Sequence, residues 1–130
     1  MSRAELELIA PRPDVWAFLA EPFHLPDWWP GITGVEPDRR GFAEGARWKV
    51  HATKHNVFAG RRPVETMLLI RTVEPFERWS WHLLAPKRDV EISLRSVASD
   101  RTLVTVTSTG REAGAAVKRL YDLVQTAAET

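Results

Sequence analysis

The chain has no cysteine, which removes disulfides, thiolate nucleophiles, Cys-ligated zinc and cysteine-held iron–sulfur clusters in one step. It is also short of net charge, with 18 Lys+Arg against 17 Asp+Glu for a formal +1. A phosphate backbone is gripped by an excess of basic side chains, so no nucleic acid partner is expected. Long apolar runs are missing as well. The first thirty residues carry Glu5, Glu7, Asp14, Glu21 and five prolines, which fit neither a signal peptide nor a membrane span. The chain therefore reads as soluble and cytoplasmic, with no integral membrane association. Repeats, low-complexity runs and Ser/Gly linkers are absent, which points to one domain over residues 1–130. That length buries a core without staples.

What the chain does have is tryptophan: six, beside five Phe and one Tyr. So many large flat rings suggest more than core closure. Residues Arg3 to Ile9 alternate through Glu5, Leu6, Glu7 and Leu8, the period-two pattern of a strand with one wet face. Pro11 and Pro13 open a short helix over Asp14 to Ala20, which Pro22 ends. Phe23 to Trp29 forms a second, stopped by Pro30-Gly31. Six strands are then predicted near Ile32 to Glu36, Ala46 to Ala52, Val64 to Glu74, Arg78 to Leu84, Asp89 to Val97 and Thr102 to Ser108. Hairpin-length turns between them make the sheet antiparallel. Thr109 and Glu112 match a capping box for a last helix running to about Ala128. Its stripe of Ala113, Ala116, Val117, Leu120, Val124 and Ala127 faces a core, with Arg119, Asp122 and Gln125 opposite.

Strand parity turns Trp48, Val50 and Ala52 inward, then Trp79, Trp81 and Leu83, then Val90, Ile92 and Leu94; Val104 and Val106 are favoured inward in the last strand. The facing of Val64 to Glu74 stays open, because Met67 and Leu69 compete with Leu68 and Ile70. With the odd-numbered set inward, Met67 would join the lining and Arg71 would be a buried anion anchor. A curved sheet under one long helix leaves a cleft where facing side chains fail to meet. The expected lining is Trp28, Trp48, Val50, Met67, Trp81, Leu83, Ile92, Val117, Leu120, Tyr121 and Val124. Against this stands the alternative that the same rings simply fill the core.

The histidines do not make a metal site on spacing. His51 and His55 in one strand would stand roughly 13 Å apart, and their H-x-x-x-H lacks the Glu and helix of a zincin. His51 and His82 are expected on the outer face, which leaves His24 as a candidate at the cavity mouth. No G-x-S-x-G and no Gly-rich phosphate loop occur, so neither a serine hydrolase nor a cofactor is implied. Arg39-Arg40, Arg61-Arg62 and Lys87-Arg88 are read as solvated charge at turns.

The order of strand, two short helices, six strands and a long final helix resembles the START-like superfamily, which includes birch pollen allergen, polyketide cyclases and lipid-transfer domains. The likeness spans the whole chain. It is carried by Ala10-Pro11-Arg12-Pro13-Asp14-Val15-Trp16-Ala17-Phe18-Leu19, by Pro26-Asp27-Trp28-Trp29-Pro30-Gly31, by Gly45-Ala46-Arg47-Trp48 and by Val73-Glu74-Pro75-Phe76-Glu77-Arg78-Trp79. It implies an α+β helix-grip fold, a curved seven-stranded antiparallel sheet wrapped around the C-terminal helix, with a cavity for an apolar guest. The leading expectation is a binding or transport protein for a small hydrophobic ligand such as a lipid, polyketide or aromatic compound. A cyclase, dehydratase or isomerase would use the same cavity but lacks an evident base. An interaction module similar to the chaperone-activating branch would use the sheet's outer face. A homodimer stays open.

Overall fold

A computed structural model of the chain describes the backbone of residues 1–56 and 60–129 and the side chains of 1–53 and 63–125. Strand β1 (Ser2–Leu8) leads into helix α1 (Arg12–Ala20), a 3-10 turn (Pro22–His24) and helix α2 (Leu25–Trp28). Strands β2 (Ile32–Glu36), β3 (Arg47–Asn56), β4 (Gly60–Glu74), β5 (Arg78–Leu83), β6 (Arg88–Ala98) and β7 (Arg101–Ser108) follow, and helix α3 (Ala113–Glu129) ends the chain. The sheet has seven antiparallel strands in the order β1-β7-β6-β5-β4-β3-β2. β2 to β7 therefore form a meander, with β1 closing the far edge beside β7. The only connection that must cross the whole sheet is the one from β1 to β2, and it carries α1 and α2 across the inner face.

Proline shapes that crossing. Each short helix has Pro in its first turn, where a missing N–H costs nothing. Its apolar anchors Val15, Trp16, Leu19, Leu25, Trp28 and Trp29 are all buried. Helix α3 packs chiefly on β1, and also on β7 and α2, through Ala113, Ala116, Val117, Leu120 and Val124. Small residues let the helix sit close to the β1–β7 half of the sheet. The other half, β3 to β5, is covered by aromatic rings.

The inward sets in β3, β5, β6 and β7 agree with strand parity: Trp48, Val50, Trp79, Trp81, Ile92, Val104 and Val106 are each at most 1% exposed. β4 needs a correction. Leu68 and Ile70 are buried, whereas Met67 is 38% exposed on the outer face and Arg71 is exposed too. Met67 is thus not a lining residue and Arg71 is not an internal anion anchor. The cause is a register shift between Ile70 and Thr72, after which Val73 pairs with Trp79 and packs on the core. A β-bulge switches the inward set from even to odd within one strand. Parity read along the whole segment had no single answer.

The helix α3 entrance differs as well. Thr109 Oγ1 accepts from Asp89 N at 3.0 Å, and Glu112 rather than Thr109 precedes the first helical residue. Ser2 Oγ accepts from Ala113 N at 3.2 Å. The Thr109–Glu112 pair is therefore not a reciprocal capping box: each side chain is drawn to a partner on another element.

Candidate functional site

A pocket of about 420 Å³ opens at one end of the inner face. Its floor is apolar: Trp29, Ile32, Ala52 and Leu83, with Pro86 beside them. Pro30, Gly31 and Thr53 form the rim, and the Thr53 amide donates to the Gly31 carbonyl at 2.9 Å, tying the loop after α2 to the end of β3. Gly31 itself has φ +87°, a conformation that favours glycine.

The remaining wall is charged. Arg88 and Glu112 line the pocket, with Arg88 Nε donating to Glu112 Oε2 at 2.8 Å. Ser108 Oγ donates to Glu112 Oε1 at 2.7 Å and accepts from the Gly110 amide at 3.0 Å. Arg88 Nη1 donates to the Lys87 carbonyl at 2.9 Å. Burial of the Glu112 carboxyl favours its neutral form, but hydrogen bonds from Arg88 and Ser108 and the Arg88 charge outweigh it and hold the group below the ordinary glutamate range. A Cβ at Gly110 would collide with Arg88 Nε and Glu112 Oε1, so any side chain there has to displace the pair.

Of the residues expected to line a cavity, Leu83 borders this pocket. Trp28, Trp48, Val50, Trp81, Ile92 and Leu120 are at most 1% exposed and sit in the packed core, with Val117 and Val124 beside them and Tyr121 half-buried at its margin. The rings meet one another: Trp79 lies 4.6 Å from Trp81 and 4.7 Å from Phe42, and Trp28 lies 6.2 Å from Trp81, centroid to centroid. Most tryptophans therefore fill the space in which a guest was expected. Trp48 Nε1 donates to the Gly41 carbonyl at 2.7 Å, while the indole N–H groups of Trp28, Trp79 and Trp81 have no hydrogen-bond partner among the described residues. Burial and edge-to-face packing of the rings offset that loss.

Arg88 and Glu112 were missed on the sequence, whereas Trp29, weighed with Trp28 as either an aromatic wall at a cavity mouth or a helix anchor, does border the pocket. Arg88 had a legible signal: it shares parity with Val90, Ile92 and Leu94, so beginning β6 one residue earlier turns it inward, opposite Leu83. Glu112 had none, since its partners lie 24 and 4 residues away.

The histidines lie elsewhere. His24 is not at the pocket; it stacks on Phe18 at 4.1 Å and its Nδ1 donates to the Phe18 carbonyl. His82 pairs with Asp89 at 2.8 Å, and the side chain of His55 lies outside the described residues. On the outer face, Glu36, His51 and Glu65 bring three donor atoms within 4.8 Å of one another. Lys49 already sits 3.3 Å from Glu65, and His51 lies 2.8 Å from Glu36. The hydrogen bond from His51, then the Lys49 charge, lowers the Glu36 carboxyl's pKa. This is a solvated charge network with its own cation.

The family model for Activator of Hsp90 ATPase homolog 1-like protein matches residues 9–128. The chain belongs to that family. No curated protein matches it, but solved structures do. A protein from Nitrosomonas europaea superposes with a TM-score of 0.69 at 15% identity, over 99% of this chain and 96% of that one. The di-domain ARO/CYC protein StfQ from the steffimycin biosynthetic pathway gives 0.72 at 16% identity, over 99% of this chain and 46% of that one. A Thalictrum norcoclaurine synthase point mutant in complex with a transition-state analogue gives 0.68 at 17% identity, over 98% and 94%. All three share the helix-grip fold with this chain. Among the described residues, no helix is long and apolar enough to cross a membrane.

Proposed function

We propose that this chain binds a small, mainly apolar molecule in the pocket bounded by Trp29, Ile32, Ala52, Leu83 and Arg88. The observation that carries this reading is a concave apolar floor meeting one charged pair, since pockets of a few hundred Å³ with a few fixed polar groups suit small ligands. Burial against the floor and hydrogen bonding to the polar wall both contribute to affinity, and the wall sets orientation.

An enzymatic role finds less support. Among the described residues, Glu112 is the one carboxylate on the pocket wall, and two hydrogen bonds hold it ionised and weakly basic. A protein-docking role, to which the family's name points, would draw on an apolar outer face. That face instead carries exposed Arg47, Lys49, His51, Glu65, Arg71 and Arg95.

The test is saturable quenching of tryptophan fluorescence by a panel of small aromatic compounds. Trp29 is the tryptophan on the pocket wall, so Trp29→Phe removes most of the quenching. Quenching of undiminished amplitude in that variant places the ligand elsewhere.

A further inference from the structure

The Arg88 guanidinium faces an unusual situation. Strand parity puts it on the inner face of the sheet, directly opposite Leu83 and in line with Val90 and Ile92. A guanidinium carries five N–H donors in a planar fork. Glu112 Oε2 takes one and the Lys87 carbonyl another, which leaves three without a partner among the described residues. Both Glu112 oxygens are meanwhile engaged, one by Arg88 and the other by Ser108. The carboxylate is spent on holding the guanidinium in place, and the guanidinium is not spent. Among the described residues, Arg88 and Glu112 are the charged side chains on the pocket wall, so an incoming ligand meets hydrogen-bond donors beside an apolar floor.

We propose that the pocket selects a molecule with an aromatic or alicyclic body and one planar oxyanion, a carboxylate, with Arg88 as the group that binds it and Glu112 as a positioning residue. The proposal rests on the pocket being the binding site. A carboxylate matches the guanidinium fork in two parallel hydrogen bonds, which a hydroxyl or an amide cannot reproduce. The body lies on Trp29, Ile32 and Leu83. Gly110 belongs to the same device, because a side chain there would push Arg88 and Glu112 out of their places.

The experiment compares 1-naphthoate with 1-naphthamide, which share a body and differ in charge, by calorimetry and by the methyl NMR shifts of Ile32 and Leu83. The expected result is about tenfold tighter binding of the naphthoate, with the advantage shrinking as salt is added. Arg88→Gln leaves Glu112 without its charge partner, so the double change Arg88→Gln with Glu112→Gln keeps the wall neutral and folded. In it the two probes bind alike. Arg88→Lys keeps the charge, loses the fork and retains part of the preference. Equal affinities in the unmodified protein, or a naphthoate preference that survives in the double variant, overturn the carboxylate selection and leave the pocket standing. Failure of both probes to move the Ile32 and Leu83 methyls overturns the pocket reading and the selection with it.

Discussion

Two stretches of the same inner face behave differently. Across the middle of the sheet, Trp48, Trp79, Trp81 and Trp28 interlock with Phe42 at centroid distances of 4.6 to 6.5 Å and exclude solvent. At the end where β3, β5 and the start of α3 meet, the inward positions are Ala52, Leu83, Arg88 and Glu112, and about 420 Å³ stays open. The alternation that points strand side chains inward is identical in both. What differs is volume: where parity delivers indoles the space closes, and where it delivers Ala52 and Arg88, met by Glu112 from the loop before α3, it does not. Inward-facing aromatics are thus poor guides to a cavity, and an inward-facing charge is a better one.

The largest effect is expected from breaking the filled stretch. Trp79→Ala removes a ring that touches Trp28, Trp48, Trp81 and Phe42, and should cost about 3–5 kcal/mol in denaturant unfolding. Gly110→Ala acts at the open end, displacing the Arg88–Glu112 pair. Unfolding should show a loss of about 1–3 kcal/mol, with ligand affinity falling in parallel. Ala52→Leu separates the two ends: its added methyls enter the pocket floor, so stability should change by less than about 1.5 kcal/mol while binding weakens about tenfold.

Acid sharpens the comparison in a different way. The folded Glu112 carboxyl titrates below its ordinary value of 4.5. Its contribution is therefore fully present above pH 4.5 and is lost as pH falls through the lowered folded value. Thermal melts should show the unmodified protein losing stability in that acid range, with Glu112→Gln losing less. The smallest effect belongs to the outer face, where Met67→Lys should change stability by no more than about 0.5 kcal/mol.

The element order, the antiparallel pairing and the inward sets of four strands were all readable, because they follow from period two and from turn residues. β4 was not, because one bulge between Ile70 and Thr72 reverses its parity midway. The site was mostly hidden for a related reason. Whether an inward ring fills space or walls it depends on what crosses above it, and the loop carrying Trp29, Pro30 and Gly31 is placed by long-range contacts such as Thr53 N to the Gly31 carbonyl. Lys87-Arg88 looked like turn charge, and Thr109 with Glu112 looked like a capping box. Each reading was locally sound, and tertiary partners on β6 and α3 overrode it.

The most direct test of this division is a methyl-resolved NMR titration with 1-naphthoate. Saturable shifts confined to Ile32, Ala52 and Leu83, with Ile92, Val106 and Leu120 unmoved, are predicted. Shifts centred on Ile92, Val106 and Leu120 while Ile32 and Leu83 stay still would mean that the ring cluster opens to hold the guest, and would contradict the account.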